Sequence, residues 1–319
     1  MILLTGGAGF IGSCFLWKLN QEGITDVLIA DTLTATNWRN LLGKRFRDFI
    51  PKDQLLARLQ QGKLPRLDVI VHLGARTDTT ESDLTALLQD NYEFSKALAL
   101  YAAEHNIRFL YASSAATYGA GEHGFQECQL WKLRPRNLYG FSKHLFDCWA
   151  AAEGILDVAV GVKLFNVYGP NEYHKGRMAS LVWQGFQQIQ TTGRIRLFKS
   201  TDPRYRDGEQ KRDFVYVKDV VEVLWKLLCH REVAGLYNVG TGHARSWNEL
   251  AYALFAALDR PVSIEYIDIP AELQEWYQNF TQADIRKLQA TPAAHHFTPL
   301  EDGVREYVHD FLLSGRLYL

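Results

Sequence analysis

The sequence predicts an α/β fold built on a doubly wound parallel sheet. Short apolar runs, typical of strands buried on both faces, begin at residues 1–5 and recur along the first half of the chain. Helical patterns separate these runs, which favours parallel strands joined by right-handed crossovers. The chain has 319 residues, of which 47% are hydrophobic, enough for one large α/β unit or two modest domains.

Three glycines follow the first apolar run directly. Gly6, Gly9 and Gly12 form a G-x-x-G-x-x-G turn that leads into a helical pattern over 13–20. We expect Gly6 to allow the tight turn, Gly9 to let a pyrophosphate approach the backbone, and Gly12 to let the helix lie close to the strand. Free N–H groups at a helix N-terminus bind phosphate, so the turn predicts a dinucleotide site, although such turns also occur without a ligand.

The second apolar run, 27–30, ends at Asp31. An acidic residue about 20 positions beyond the glycines is where a ribose 2′-hydroxyl is bound, which favours NAD. A helix cap or a turn residue is the alternative interpretation of this aspartate. Arg39 and Lys52 could instead reach the 2′-phosphate of NADP, so these residues leave the cofactor open. The stretch 40–66 is predicted to be helical and basic.

Two further runs, 68–75 and 108–114, end in small residues. Small residues at the carboxyl end of a strand let a cofactor lie against the backbone, and ligands of doubly wound sheets lie beyond these ends. The residues predicted to meet there are Gly6–Gly12, Asp31, Gly74 and Ser114.

Tyr139 and Lys143 are four residues apart on a helix that Pro135 introduces, so they share one helix face. An ammonium one turn away favours the phenolate and lowers a phenol pKa that is ordinarily near ~10. A hydroxyl such as that of Ser114 would bind the oxygen whose proton moves. The motif alone is common, and the alternative is a surface tyrosine and lysine on an amphipathic helix.

The composition changes after Gly169-Pro170, where the segment 171–212 becomes rich in Gly, Arg, Lys and Gln. Strand and helix patterns return from Arg212 onward. We predict a cofactor-binding domain over 1–168, with 212–241 returning to it. The remaining residues, 169–211 and 242–319, are predicted to form a smaller mixed α/β substrate domain.

Charge and composition exclude several kinds of partner. The net charge of −1 gives no electrostatic reason to expect nucleic acid or an anionic membrane. The four cysteines are far apart and lack the spacing of metal ligands, which indicates reduced thiols. The sequence begins with a strand and a glycine turn, and no run approaches the ~18 apolar residues of a membrane span. We therefore expect a soluble, cytoplasmic protein without a metal site.

Taken in order, these motifs resemble the extended short-chain dehydrogenase/reductase family of nucleotide-sugar enzymes. The resemblance covers essentially the whole chain and implies a Rossmann domain, a nicotinamide cofactor and a catalytic tyrosine. It implies that Ser114 hydrogen bonds the reacting oxygen and that Lys143 also holds the nicotinamide ribose. The segments that carry it are the glycine turn, Ser114 with Tyr139 and Lys143, Asn166-Val-Tyr-Gly-Pro170 and Arg212-Asp-Phe-Val-Tyr-Val217.

Within that family the residues discriminate between reactions. The sugar-nucleotide dehydratases have Thr-Asp-Glu where this chain has Ser114-Ala115-Ala116, and the loss of both acids argues against elimination of water. The chain is more similar to the epimerases that invert C6″ of ADP-glycero-manno-heptose, which supply heptose for the lipopolysaccharide core. The similar segments are Tyr111–Gly119, Asn166–Pro170 followed by His174-Lys175-Gly176 and Met178-Ala-Ser180, and Tyr277–Asp284.

This resemblance implies conversion of the D-glycero to the L-glycero epimer through a transient 6″-carbonyl, with tightly bound NAD(P) and with Tyr139 and Lys175 as the two acid/base groups. A lysine can serve only if its pKa is depressed, and the neighbouring His174 and Arg177 act in that direction. A plain diphosphate contact is the alternative role of Lys175. For the cofactor the resemblance favours NADP, with NAD as the alternative, and for the assembly it favours a homo-oligomer.

The resemblance also implies two sets of contacts. The cofactor-binding set is Gly6, Gly9, Phe10, Ile11, Gly12, Asp31, Thr32, Lys52, Leu73, Gly74, Ala75, Asn91, Lys143 and Val167. The substrate-binding set is Ser114, Asn166, Arg177, Phe198, Arg212 and Tyr277, with interdomain packing as the alternative for Tyr277. Two positions depart from the family. Asn37 stands where the family has a lysine near the 2′-phosphate, and Gln184 stands where it has a substrate-side histidine.

Two alternatives remain. One is a UDP-hexose 4-epimerase or another nucleotide-sugar oxidoreductase of the same family, although these lack a His-Lys-Gly segment. The other is a non-catalytic regulator or RNA-binding protein that kept the dinucleotide fold. The intact set of Ser114, Tyr139 and Lys143 argues against the second, because a protein that only binds has no need of acid–base groups.

Overall fold

The computed structural model describes residues 1–274 and 277–319, and a seven-stranded parallel sheet lies at its centre. The strands are β1 Ile2–Thr5, β2 Val27–Asp31, β3 Asp48–Pro51, β4 Val69–His72, β5 Arg108–Ser114, β6 Val160–Leu164, β7 Asn166–Tyr168, β8 Ile195–Phe198, β9 Lys211–Tyr216, β10 Gly235–Val239, β11 Ala244–Ser246 and β12 Ile264–Ile267. In the central sheet their order is β10-β6-β5-β4-β1-β2-β3. The predicted fold class is confirmed.

The direction of winding reverses next to β1. The chain passes from β1 outward to β2 and β3, and then returns to the other side of β1 to form β4, β5 and β6. A crevice forms beyond the carboxyl ends of the strands at such a reversal, and ligands of doubly wound sheets bind there. The glycine turn of residues 6–12 and the residues after His72 both lie at this point.

Helices cover both faces of the sheet. They are α1 Phe10–Gln21, α2 Lys52–Gln60, α3 Leu84–Leu87, α4 Phe94–Glu104, α5 Leu138–Ala152, α6 Leu181–Thr192, α7 Val217–Cys229, α8 Trp247–Ala257, α9 Ala271–Gln274, α10 Arg286–Gln289 and α11 Leu300–Glu306. Within β1, Ile2 and Leu4 pack into one apolar core with Phe15 of α1, while Leu3 packs into a second core with Phe146 of α5. Side chains alternate between faces, so each run of buried residues serves both layers.

Two smaller sheets lie beside the central one. Strands β11, β9 and β7 form the first, in which β9 pairs antiparallel with β11 and parallel with β7. Strands β12 and β8 form the second and are parallel. The strands of these two sheets and the helix α8 all come from the second half of the chain. The domain boundaries given above stay a prediction.

The stretch 40–66 differs from its prediction as one helical segment. It contains the end of a 3₁₀ turn at Asn37–Leu41, then the edge strand β3, and only then the helix α2. The strand was missed because it is four residues long and pairs on one side only, so just Ile50 of the strand is buried. Among the described residues, no helix combines the length and the apolar character that crossing a bilayer requires.

Candidate active site

A cleft of about 730 Å³ lies beyond the carboxyl ends of the central strands and is closed on its far side by the smaller sheets. Many of the predicted site residues line it, from the start of α1, the ends of β4 and β5, the helix α5 and the segment after β7. They are Phe10, Ile11, Leu73, Ala75, Ser114, Tyr139, Lys143, Asn166, Val167, Lys175, Arg177, Phe198 and Tyr277.

Close backbone packing explains the glycines of the turn. Gly6 has a φ of +70°, and a Cβ added to it would lie 2.5 Å from the backbone nitrogen of Gly74. A Cβ added to Gly12 would lie 2.0 Å from the carbonyl oxygen of Gly6. Gly12 therefore lets α1 rest on the turn, as predicted. Gly74 has a packing role that the sequence did not indicate, because it makes room for Gly6.

The start of α1 fits a phosphate group. Its N-cap residue is Gly9, whose missing side chain leaves the N–H groups of the first helical turn without a side-chain acceptor. Such N–H groups, together with the positive end of the helix dipole, attract an anion. Phe10 and Ile11 of this turn line the cleft. The residues present therefore fit the diphosphate of a dinucleotide.

Asp31, at the end of β2, stabilises the glycine turn through hydrogen bonds. Its carboxylate accepts hydrogen bonds from the N–H groups of Ala8, at 2.8 Å, and Thr32, at 2.7 Å. Burial raises the pKa of Asp31, while these N–H groups and the charge of Lys52 oppose the rise. The carboxylate thus stabilises the loop, and its remaining lone pairs can accept from a ribose hydroxyl.

The residues predicted to lie near a 2′-phosphate already make contacts within the protein. Lys52 donates to Asp90 at 2.5 Å, and the ammonium lies 5.2 Å from the centre of the Phe94 ring. Asn37, which replaces the family lysine, is buried and donates to the carbonyl of Thr32 at 3.0 Å. Asn37 therefore shapes the loop after Asp31 and contributes no charge to it.

Asn91 lies within a π-turn, Leu88–Glu93, between α3 and α4. Its buried amide accepts from the N–H of Arg76 at 2.8 Å, and it donates to the Arg76 carbonyl and the Ser142 hydroxyl, each at 3.0 Å. The side chain thus connects the loop after β4 to α5, the helix of Tyr139. Asn91 itself is not among the residues that line the cleft.

Tyr139, Ser114 and Lys143 meet in the cleft. The side chain of Asn137 caps α5 by accepting from the N–H of Gly140 at 2.7 Å, which fixes the start of the helix. Burial raises the pKa of Tyr139, and a hydrogen bond with Ser114 opposes the rise. Burial also lowers the pKa of Lys143 to about 8. The sequence predicted that Lys143 would lower the pKa of the phenol. Burial outweighs any such effect and leaves that pKa raised.

Lys175 lies on a 3₁₀ turn, Tyr173–Met178, and lines the same cleft as Tyr139. Burial lowers its pKa, and the nearby carboxylate of Glu172 acts against the change. The ammonium lies 5.6 Å from the centre of the Phe10 ring. Within the part of the chain that the structure describes, no carboxylate lies within ion-pair distance of it. A desolvated lysine without a fixed partner can exchange a proton with a ligand.

Contacts with the cofactor side of the cleft hold this turn in place. Asn171 has a φ of +77°, and its amide donates to Ser13 of α1 at 2.9 Å. Asn40 donates to the carbonyl of Ala8 at 2.9 Å and lies 3.2 Å from Nδ1 of His174. The sequence gave no signal for Asn40, whereas Asn171 could have been noticed because it follows Gly169-Pro170.

Arg212 lies between two aromatic rings, 5.6 Å from the centre of Trp247 and 5.1 Å from that of Tyr277. It is buried, burial lowers its pKa, and the described residues include no carboxylate within ion-pair distance. A buried cation without a counter-charge is costly, which favours an anionic ligand. Trp247 was not among the predicted site residues, because an isolated tryptophan forms no recognisable motif. Phe198 packs edge-on to Tyr277, with the ring centres 6.1 Å apart.

Arg177 and Gln184 make protein contacts at the mouth of the cleft. Arg177 is 71% exposed and donates to Asp78 at 2.8 Å and to Thr80 at 2.6 Å, across from its own turn. Its predicted role in binding substrate therefore requires it to exchange Asp78 for the ligand. Exposed pairs contribute only about 0–1 kcal/mol, so this exchange costs little. Gln184 donates to the carbonyl of Ala179 at 2.6 Å.

Comparison with known proteins gives one consistent result. Residues 2–240 match the model of the NAD dependent epimerase/dehydratase family. The chain is 48% identical to the ADP-L-glycero-D-manno-heptose-6-epimerase of Nitratidesulfovibrio vulgaris strain DP4, and 43% identical to the enzyme of that name from Fusobacterium nucleatum. Both alignments cover 100% of each chain.

Solved structures show the same relationship. The Helicobacter pylori ADP-L-glycero-D-manno-heptose-6-epimerase superposes with a TM-score of 0.84 at 29% identity, covering 96% of this chain and 94% of the other. The UDP-N-acetylglucosamine 4-epimerase of Methanobrevibacter ruminantium superposes with a TM-score of 0.83 at 23% identity, covering 98% of each chain. The second likeness concerns the fold alone.

Proposed function

The chain belongs to the NAD dependent epimerase/dehydratase family, and we propose that its reaction is the inversion of C6″ of ADP-D-glycero-D-manno-heptose to the L-glycero epimer. The enzyme is an epimerase that acts on a nucleotide sugar. The observation that carries the proposal is that two separate proton-exchanging side chains, Tyr139 and Lys175, line one cleft. Full-length identity of 48% to a heptose 6-epimerase supports the same substrate.

A nicotinamide dinucleotide is the cofactor, and it supplies the hydride chemistry when bound. We propose that the turn of Gly6, Gly9 and Gly12 and the start of α1 hold its diphosphate. Asp31 is then placed to accept from a ribose hydroxyl. The remaining contacts are assigned to Phe10, Ile11, Thr32, Lys52, Leu73, Gly74, Ala75, Lys143 and Val167, with Asn91 acting through the loop after β4. We propose NADP, with NAD as the alternative, on the strength of the family resemblance; Lys52, which pairs with Asp90, would then turn to the 2′-phosphate.

Tyr139 is proposed to move the proton of the 6″-oxygen in one epimer. The Ser114 side chain acts to lower the pKa of the phenol, and it is proposed to bind the same substrate oxygen. Lys143, on the same face of α5, is proposed to hold the nicotinamide ribose and to favour the phenolate. A phenol that exchanges its proton with a bound alcohol acts as base in one direction and as acid in the other.

Lys175 is proposed to move the proton of the other epimer. C6″ is exocyclic, so rotation of the transient carbonyl group lets hydrogen leave from one face and return to the other. The two epimers then direct their hydroxyl groups differently, so two acid/base groups are useful. Burial lowers the pKa of Lys175 from its usual range, which makes the ammonium a better proton donor to a bound substrate.

The substrate diphosphate is proposed to bind Arg212, whose planar fork matches two phosphate oxygens. Tyr277 would contact the substrate near the sugar or phosphate, Asn166 and Phe198 would also contact the substrate, and Arg177 would join after leaving Asp78. We further propose a cofactor domain of residues 1–168 and 212–241 and a substrate domain of 169–211 and 242–319. The enzyme is proposed to work in the cytoplasm as a homo-oligomer.

The test is to incubate the purified protein with ADP-D-glycero-D-manno-heptose, without added cofactor, and to follow the configuration at C6″ by NMR. We expect an equilibrium mixture of the two epimers. Unchanged heptose together with turnover of UDP-glucose would contradict the proposal and favour a 4-epimerase. Denaturing the same sample and identifying the released nucleotide by mass distinguishes NADP from NAD.

A further inference from the structure

A buried ion pair lies beneath the proposed acid–base residues. Asp147 and Lys163 are both fully buried, and Nζ of the lysine lies 2.6 Å from Oδ2 of the aspartate. On α5, Asp147 comes four residues after Lys143 and eight after Tyr139, so the three share one helix face. Neither Asp147 nor Lys163 is used in the mechanism proposed above.

The pair connects the elements that carry the active site. Asp147 accepts hydrogen bonds from Ser113, at 2.6 Å, and from Tyr111, at 3.0 Å, both on β5. Lys163, on β6, donates a second hydrogen bond to Thr117 at 2.7 Å. Ser113 precedes Ser114, and Thr117 lies in the 3₁₀ turn, Ala115–Tyr118, that follows it. A single network therefore joins α5, β5, β6 and this turn.

Stability alone does not account for such a pair. Removing two charges from water costs several kcal/mol for each, and apolar pairs of similar volume often replace a buried ion pair without loss. We propose that Asp147 is a positioning residue for the reaction: its carboxylate, balanced by Lys163, keeps Lys143 in the charged form beside Tyr139. This inference rests on the roles proposed for Tyr139 and Lys143.

The signs of the electrostatic effects agree with this role. The charge of Asp147 raises the pKa of Lys143 against the effect of burial, while the charge of Lys163 lowers it. Asp147 also raises the pKa of Tyr139. Loss of the carboxylate charge alone should therefore lower both pKa values, and loss of both charges should restore that of Lys143. The titratable and charged groups around the pair are Tyr111 of β5, Tyr118 of the turn, His72 of β4, and Tyr139, Lys143, His144 and Cys148 of α5.

The experiment titrates Lys143 directly by NMR of the protein labelled with ¹³Cε-lysine, with the signal assigned through Lys143→Arg. In the wild-type protein we expect a pKa of about 8. Asp147→Asn should lower it by about one pH unit, the usual effect of one nearby charge. Asp147→Asn/Lys163→Met should return it to the wild-type value. Lys163→Gln should raise it, which keeps the test decisive if Asp147→Asn does not fold.

Activity supplies the second measurement. In the pH profile of epimerisation, Asp147→Asn should move both limbs toward acid, and the double variant should move the limb set by Lys143 back. Equal titration of Lys143 in all variants, or equal displacement in the single and double variants, would overturn the inference and leave a purely structural pair. Failure of the wild-type protein to epimerise ADP-heptose counts against the proposed function only, because the NMR titration does not depend on substrate.

Discussion

At the scale of single residues, burial sets the charge of the proposed acid–base groups. It raises the pKa of Tyr139 and lowers those of Lys143 and Lys175. All three pKa values are thereby shifted in favour of the neutral forms. The Ser114 side chain opposes the shift at Tyr139, and the charge of Glu172 opposes it at Lys175 without forming an ion pair. Proton exchange in both directions requires such closely balanced groups.

Replacing Tyr139 by phenylalanine should lower the rate of epimerisation by roughly 10²–10⁴-fold, the usual contribution of a general acid–base group. The fold and the bound nucleotide should persist, because only a hydroxyl is lost. Rates come from NMR of C6″, and retained nucleotide from the absorbance of the purified protein. Tyr252→Phe, at an exposed position on α8, is the matched control and should keep full activity. Wild-type turnover by Tyr139→Phe would remove the phenol from the mechanism.

Replacing Lys175 by methionine should reduce epimerisation by a similar factor of about 10²–10⁴. Methionine keeps an unbranched apolar side chain and removes the ammonium group, which lies 5.6 Å from the centre of the Phe10 ring. If Lys175 contacts only the diphosphate, KM should rise while kcat is unchanged, and the two-base scheme would be wrong. Lys63→Met, in an exposed loop, controls for the loss of a lysine charge. The readout is kcat and KM measured separately by NMR or chromatography.

At the scale of elements, one end of α1 and the turn before it determine where the cofactor can lie. The helix rests directly on the carbonyl of Gly6, and the same turn packs against Gly74 at the end of β4. Asn171, just before the 3₁₀ turn that carries Lys175, donates a hydrogen bond to Ser13 of α1. The cofactor turn and the second proposed base therefore form one continuous structure.

Two alanine substitutions in this element should behave differently. Gly12→Ala places a Cβ 2.0 Å from the backbone oxygen of Gly6. Because that oxygen belongs to a turn fixed to the end of β1, it cannot move away, and we expect a loss of at least about 2 kcal/mol in the free energy of unfolding. At Gly9 the nearest atom is 3.1 Å away, so Gly9→Ala should fold normally and bind nucleotide more weakly. Urea unfolding and nucleotide titration measure the two effects. Equal stability of both variants would contradict this account of α1.

At the scale of the whole molecule, a chain of buried hydrogen bonds crosses from β1 to α4 through His72. The N–H of Gly74 donates to the Thr5 hydroxyl at 3.2 Å, and the same hydroxyl lies 2.6 Å from Nδ1 of His72. Ser95 donates to the carbonyl of Asn91 at 2.7 Å, so it accepts from Nε2–H of His72 at 2.8 Å. Burial favours the neutral imidazole, whose unprotonated Nδ1 then accepts from the Thr5 hydroxyl.

Stability should therefore fall in acid because of His72. Burial lowers its pKa well below 6.5, so below pH 6.5 the unfolded chain binds a proton that the folded protein does not. The free energy of unfolding should lose up to about 1.4 kcal/mol per pH unit from this group. Urea unfolding at about half-unit steps between pH 7.5 and 5 measures how the free energy of unfolding changes with pH. His72→Gln should flatten it, whereas the exposed control His123→Gln should not.

The sequence by itself determined the fold class and the local packing of the glycine turn. The roles of Gly6 and Gly12 in that packing were predicted because a turn between a strand and a helix has local rules, and Asp31 lies against the same turn. Tyr139 and Lys143 were predicted to share one helix face because they are four residues apart, and both line the cleft. Each of these inferences depends on residues close together in the chain, whereas the binding and catalytic roles of these residues stay predictions.

Only the tertiary structure decided the pKa shifts of the buried side chains and the ion pairs between residues far apart in the chain. Lys143 was expected to lower the pKa of Tyr139, but burial raises that pKa, and burial is a property of the packed cleft. Arg177 was expected at the substrate, and it pairs with Asp78, 99 positions away. Asp147 and Lys163 carry no motif, and they meet only because α5 packs across β5 and β6. Long-range packing, which brings charges together and removes water from them, is the physical reason.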